Sequence, residues 1–325
     1  PGGGVVDLPG SRQISDPMVM PFGSSTDDLC SWVYDGCDDK IAEMLAVADG
    51  GGLEGKLSPE YFQWWRSRAI LAPHRVTVGA VNEVMAEKFP GLRVAEAEDT
   101  IDDADEEGCD PGSGYSPDQL SSRTPSGCPP HTLRLAVGMP IMATANMPGV
   151  GVYNGTRLII TSIVEHRESG GICFLGCAYV DADGCVCEVD IHRHAAPTND
   201  TEMSFLWTRR QFPVMPCFGM TIKCVSLLLL LYVSAVVLQL SLFGLMWFRD
   251  CVCVCVCAYS KSQGQTLESR VGVLLTSSVW THGLLYVALG RVVHPANIRV
   301  LCPAQGRRVI NVVYTDVLRI GEGRS

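Results

Sequence analysis

Six consecutive residues, Lys261-Ser262-Gln263-Gly264-Gln265-Thr266, combine a cation, two hydroxyls, two amides and a glycine. These groups suit phosphate oxygens. Lysine supplies charge, the hydroxyls and amides supply hydrogen bonds, and Gly264 lets backbone come close. Further on, the apolar run Leu284-Leu285-Tyr286-Val287-Ala288-Leu289 ends in Gly290-Arg291. A guanidinium placed there could neutralise charge developing on a phosphate, or it could close a surface ion pair. Upstream, Arg209-Arg210-Gln211 offers two more cations and an amide. Cys173, Cys177, Cys185, Cys187, His192 and His194 give C-x3-C, C-x-C and H-x-H spacings. Structural zinc favours C-x2-C hairpins. On a strand, C-x-C or H-x-H brings two ligands to one face, and four rarely converge. These residues read as core cysteines and surface histidines, and no metal site is expected.

Several elements must position these groups. Arg68-Ala69-Ile70-Leu71-Ala72-Pro73 is an apolar run stopped by proline, which predicts a buried strand. From Val76 to Phe89, apolar residues fall at Val78, Val81, Met85 and Phe89, one face of a helix. Earlier, Leu29, Trp32 and Val33 suit an amphipathic helix, and Gly50-Gly51-Gly52 a loop. From Leu133 to Ile191 the pattern is short strands broken by Gly, Pro and Asn-Gly turns, as in a small barrel. The net charge is −10 over 325 residues. Many of the acids cluster from Glu96 to Asp110, a run expected to be a solvated, disordered loop. The segment after Arg291 is basic. Fifteen cysteines without an N-terminal signal peptide do not suggest a secreted disulfide scaffold. The sequence opens on Pro1 instead of Met, and a piece of a longer protein is expected.

Taken together, the motifs resemble the Pif-type DNA helicases of superfamily one and the related Helitron helicases. Arg209 to Ile222, joined directly to Lys261 to Leu267, is similar to their motif V. Thr281-His282-Gly283-Leu284-Leu285-Tyr286-Val287-Ala288-Leu289-Gly290-Arg291-Val292 is similar to motif VI, and Arg68 to Asn82 to motif IV. Tyr115 to Leu133, Leu135 to Met142 and Val152 to Leu158 resemble the family's SH3-like 2B insertion. Asn311 to Leu318 resembles its closing strand. The resemblance implies an α/β fold, the second RecA-like helicase domain, with a small SH3-like β-barrel inserted. The implied organisation is 1–63 as the tail of a first RecA-like domain and linker, and 64–110 as the start of the second with its acidic loop. The 2B insertion would be 111–200, and the rest of the second RecA-like domain 201–325.

The resemblance also implies roles. Arg291 becomes an arginine finger toward the ATP γ-phosphate. Gln263, Gly264 and Gln265 would join it at the nucleotide, and Thr221, Lys261, Ser262, Thr266, Asn82, Asn154, Arg157 and His282 would face DNA. ATP and Mg2+ are the implied cofactors. Single-stranded and forked DNA, and a first RecA-like domain, are the implied partners. Activity would be 5′–3′ translocation with unwinding, in the nucleus or mitochondria, in DNA repair, recombination or telomere maintenance. There are departures. His74-Arg75-Val76 replaces a polar triplet, Ala143-Thr144-Ala145-Asn146-Met147 lacks the family's arginine, and Gly290 replaces a serine. No G-x-x-x-x-G-K-[ST] occurs, since Gly50 to Leu57 lacks the closing Ser or Thr. This chain alone is therefore expected not to hydrolyse ATP. A non-enzymatic single-strand binder or decayed transposon remnant is the alternative reading.

Lys223 to Ser260 interrupts motif V. Val225 to Phe248 is apolar nearly throughout and matches the roughly 20 residues of a membrane helix. Read at face value, it would anchor the protein in a membrane. Cys251-Val252-Cys253-Val254-Cys255-Val256-Cys257 alternates as a TG dinucleotide repeat translates. Splicing within the Lys223 and Ser260 codons would leave one Asn codon, the family residue at that place. The insert 223–260 is expected to be translated intron, and the apparent span 225–248 an artefact.

Overall fold

The computed structural model describes residues 18–48, 52–101, 117–125, 128–166, 170–181, 183–198, 206–222, 267–276 and 284–302. The chain divides into two compact units. The first comprises Pro1–Asp35, Ser67–Val81 and Gly219–Ser325, and the second Gly36–Arg66 and Asn82–Phe218.

A four-stranded parallel sheet is the centre of the first unit. Its strands are β1 (Ala69–Ala72), β12 (Gly219–Thr221), β13 (Val271–Leu274) and β14 (Ile298–Leu301), in the order β12-β1-β13-β14. Register places Ala69 beside Val271 and Ala72 beside Thr221. All four residues of β1 and of β13 are buried, as parallel strands covered on both faces require. Helix α1 (Thr26–Val33) packs on β1, β13 and β14. Ser25 and Asp28 form a reciprocal capping box at its start, and Leu29 and Val33 are fully buried. The helix comes so close to β13 that a Cβ on Gly272 would meet Val33 and Leu29 carbons at 3.0 and 3.1 Å. Val19 bridges to Val300 and continues the sheet beyond β14. Helix α4 (Arg75–Ala86) follows β1 directly, and the boundary between the units falls inside it, after Val81. The four residues expected on its inner face, Val78, Val81, Met85 and Phe89, are all buried.

Among the described residues of the second unit all strand pairing is antiparallel. Strands β5 (Pro140–Ala143), β6 (Arg157–Glu165), β7 (Ile172–Val180), β8 (Val186–His192) and β11 (Val214–Pro216) form one sheet, ordered β11-β5-β6-β7-β8. Strands β3 (Glu98–Ile101), β9 (His194–Pro197) and β10 (Trp207–Gln211) form a second, with β10 central. Strands β2 (Arg93–Glu96) and β4 (Thr132–Leu135) pair separately. Helices α2 (Cys37–Ala48), α3 (Pro59–Arg66) and the short α5 (Pro117–Ser121) complete the unit. Its aromatic core gathers Trp65, Phe89 and Phe218, with ring centroids 5.6 to 5.8 Å apart. The Tyr61 hydroxyl donates to the Gly138 carbonyl at 3.0 Å. Gly138 has φ +82°, and a Cβ there would lie 2.6 Å from the Met44 side chain.

The acidic run needs a correction. Glu96 ends β2, and Glu98 to Ile101 form β3, so the start of the run is sheet and not loop. The reason is Asp99, whose side chain is only 7% exposed and meets the fully buried Arg209. An inward carboxylate with a buried cationic partner can occupy a strand that composition alone assigns to solvent. Residues 102–116 lie outside the described residues, as do 311–318 and the whole insert 223–260. Among the described residues no helix is long and apolar enough to cross a membrane.

Candidate nucleotide and nucleic-acid site

The parallel sheet of the first unit presents its strand ends together. Thr221 is the last residue of β12, beside Ala72, the last of β1, and the Ile222 N–H donates to the Ala72 carbonyl at 2.9 Å. Pro73 and His74 then turn the chain into α4, whose first turn holds Arg75 and Thr77. Thr276, just past β13, has its hydroxyl 3.3 Å from that of Thr77. The carboxyl edge of a parallel sheet, with a helix starting beside it, is where open α/β sheets take ligands. The expected Thr221 therefore lies at the same sheet edge as His74, Arg75, Thr77 and Thr276, across β1 from Thr276. Those four escaped the sequence reading because only the register of β1, β12 and β13 gathers them.

A second juxtaposition involves Arg291. Helix α6 (Leu284–Leu289) ends just before it. The Arg291 N–H donates to the Ala288 carbonyl at 3.3 Å, and its Nε donates to the Val287 carbonyl at 3.0 Å. The guanidinium thus closes the carboxyl end of α6, where a cation is favoured. The Leu267 N–H donates to the Arg291 carbonyl at 2.9 Å, and Leu267 bridges to Val292 in parallel. Leu267 directly follows the run 261–266 and is 1% exposed. Leu267, the residue after the phosphate-suited run, thus pairs with the backbone of Arg291 and Val292. Among the described residues no carboxylate pairs with Arg291. Lys261, Ser262, Gln263, Gly264, Gln265, Thr266 and His282 lie outside the described residues.

In the second unit, the expected DNA-facing residues hold protein groups. Asn82 is 5% exposed, and its amide donates to the Pro216 carbonyl at 2.8 Å. Arg157 donates through Nη1 to the Arg66 carbonyl at 2.6 Å and through Nη2 to the Cys217 carbonyl at 3.0 Å. Both are staples in this geometry. Asn154 is exposed in the turn before β6, and its backbone N–H donates to Asn146 Oδ1 at 2.9 Å.

Arg209 and Gln211 are also internal. Arg209 holds Asp99 through two bonds, at 2.7 and 2.8 Å, and donates to the carbonyls of Arg123, Pro129 and Leu120. His131 Nδ1 lies 2.9 Å from the same carboxylate. Burial pushes the Asp99 carboxyl up, but the bonds and charge of Arg209, then those of His131, outweigh it and hold the carboxyl below its ordinary value. Gln211 donates to the Ala95 and His131 carbonyls and accepts from the Phe212 N–H.

The cysteines divide between core and surface. Cys177 is fully buried, and burial pushes its thiol up. Cys173 and Cys185 are exposed, while the Cys187 thiol donates to Asp181 at 3.7 Å. Among the described residues no three His, Cys, Asp or Glu side chains gather as a metal would need.

Residues 120–163 match the family model of the 2B domain of DNA helicase Pif1. No curated protein sequence matches the chain. The fold is similar to the Pif1 helicase from Candida albicans, with TM-score 0.51 and 19% identity, covering 92% of this chain and 57% of that one. It is also similar to Pif1 in a structure of forked duplex unwinding by two coordinating helicases, with TM-score 0.47, 16% identity and 92% and 48% coverage. A third is Bacteroides Pif1 in complex with ADP-AlF3 and single-stranded DNA, with TM-score 0.47, 13% identity and 92% and 54% coverage. The chain thus spans about half the length of the structures it matches. With the matched 2B segment and the shared fold, this chain resembles the C-terminal region of the Pif1-type DNA helicases.

Proposed function

We propose that this chain is the second motor domain and 2B region of an ATP-dependent DNA helicase. The observation that supports it most is the bond from the Leu267 N–H to the Arg291 carbonyl. It joins Leu267, the residue that follows the phosphate-suited run, to the arginine that would act on the γ-phosphate. Movement of one is then felt by the other, as coupling of hydrolysis to DNA movement requires. A first RecA-like domain would hold ATP and Mg2+ through its phosphate loop and an acidic residue. As the two domains close, Arg291 would reach the γ-phosphate and neutralise charge in the transition state. Lys261, Ser262 and Thr266 would hold DNA phosphates with Thr221, while Gln263, Gly264 and Gln265 face the nucleotide. Asn154 and His282 are further candidates for the DNA path. The substrates would be single-stranded and forked DNA, with translocation 5′–3′, in the nucleus or mitochondria.

The insert 223–260 separates Thr221 from Lys261 in the chain as written. This separation favours a second reading, a single-strand binder without ATPase activity. The test compares the complete gene product with and without residues 223–260, the latter joined by one Asn. Under the helicase reading the joined form hydrolyses ATP in a DNA-stimulated manner and opens forks. DNA binding by both forms with no hydrolysis by either would favour the non-enzymatic reading.

A further inference from the structure

The hairpin between β7 and β8 carries two thiols that neither the core nor the proposed function uses. Cys185 is exposed in the turn, and Cys187, the second residue of β8, is partly exposed. The turn is closely held. The Asp181 N–H donates to the Cys185 carbonyl at 3.0 Å, and the Gly184 N–H donates to the Asp181 carbonyl at 3.3 Å. Gly184 has φ +84°, as this turn requires. Asp181 Oδ1 takes the Asp183 and Cys185 N–H groups at 3.0 and 2.8 Å. Its Oδ2 takes the Cys187 thiol at 3.7 Å, and the same sulfur lies 4.0 Å from the Cys185 carbonyl oxygen. Cys185 continues the ladder one step beyond the Val180 and Val186 pair. Alternation along the strand therefore sends both cysteine side chains to one face. Tyr179 stands opposite Cys187 in the register, and its hydroxyl comes within 3.2 Å of where a Cβ on Gly151 would lie. Cys187 is thus flanked by Tyr179 across the strands and by Cys185 along its own.

From this juxtaposition we propose that Cys185 and Cys187 form a two-thiol site for a soft monovalent cation with a filled d shell, such as copper(I). Zinc and hard cations need more donors, and among the described residues no three His, Cys, Asp or Glu side chains gather to supply them. A filled-shell monovalent ion takes two thiolates in a line, and thiolate is the ligand that soft ions select. On binding, two S–H bonds break and two metal–sulfur bonds form. Both protons leave to solvent, and no electron is transferred. Asp181 is a positioning residue and not a ligand. It fixes the turn through two N–H groups and directs the Cys187 sulfur. The hairpin ladder thus holds the second thiol near the first before any metal arrives. The proposal does not depend on the helicase reading, since neither thiol is among the residues assigned to nucleotide or DNA.

The test uses the full chain, reduced and under argon. Silver(I) is the probe, since it takes two thiolates as copper(I) does and keeps its oxidation state. After each addition of silver, free thiols are trapped with N-ethylmaleimide, and tandem mass spectrometry locates the adduct on each cysteine. Cys185 and Cys187 should become protected together, at a lower silver concentration than Cys173, an exposed thiol on β7 that serves as the control. In Cys185→Ser, protection of Cys187 should need at least about tenfold more silver, and Cys187→Ser should do the same to Cys185, because the second thiolate of a pair binds at high effective concentration. Cys173→Ser should leave both unchanged. Serine keeps the size of each side chain, and the other thiols of the chain are the same in every variant and cancel in the comparison. If each thiol is protected in the absence of the other at the wild-type silver concentration, there is no two-thiol site and the proposal fails. Protection of the pair no earlier than Cys173 would overturn it equally.

Discussion

Arg291 is held by the helix it follows, with its Nε on the Val287 carbonyl and its own carbonyl on Leu267. Its side chain and its backbone are thus each held, as the proposed role on a transient charge would require. Arg209 shows the opposite use of the same side chain. It is fully buried, takes Asp99 with both forks, and lies 4.9 Å from the Trp207 ring. Asp99→Asn would leave that guanidinium buried without its counter-charge and should lower unfolding free energy by about 3–5 kcal/mol in urea titrations. The pH dependence follows from the depressed carboxyl. The contribution of Asp99 is complete above its ordinary value of 3.8 and is lost as pH falls through the lowered folded value. Acid titration of the wild type and Asp99→Asn should therefore converge at low pH; a constant gap down to full acid unfolding would exclude the pair as its cause.

At the scale of elements, α1 sets how the parallel sheet is covered. Gly272 is the point of closest approach, with Val33 and Leu29 at 3.0 and 3.1 Å from a would-be Cβ. Gly272→Val should cost about 1–3 kcal/mol through overpacking, read from the urea midpoint, while a neutral result would show that α1 moves away freely. Much of this level was legible in the sequence. The run Ala69-Ile70-Leu71-Ala72 between Arg68 and Pro73 is strand β1, and Val78, Val81, Met85 and Phe89 fall on the inner side of α4 and its extension. Strands are expected between Leu133 and Ile191, and β6, β7 and β8 lie there, although β6 and β7 run nine residues each where short strands are expected. The acidic run was not legible. Whether Asp99 faces solvent or core depends on Arg209, more than a hundred positions away, and no local pattern carries that. The bonds of Asn82 and Arg157 to the Pro216, Arg66 and Cys217 carbonyls were not legible either, because residue type alone does not say which distant carbonyl a side chain meets.

For the molecule as a whole, the proposed function makes the chain one motor domain whose activity would depend on a domain that holds ATP, and the insert 223–260 would then decide whether that motor can couple. Sequencing of transcripts across the Met220 and Gln263 codons should show Ile222 joined through Asn to Lys261; retention of the insert in most messages would remove the intron account. If the insert is retained, carbonate extraction tests the membrane anchor directly. The central claim is the role of Arg291, and the most direct measurement is DNA-stimulated ATP hydrolysis by the complete gene product and its Arg291→Ala variant, with DNA affinity measured in parallel. A fall in kcat of about a thousandfold or more, with single-strand affinity unchanged, is the predicted result. Equal kcat in the two proteins would contradict it and leave Arg291 as the cap of a helix.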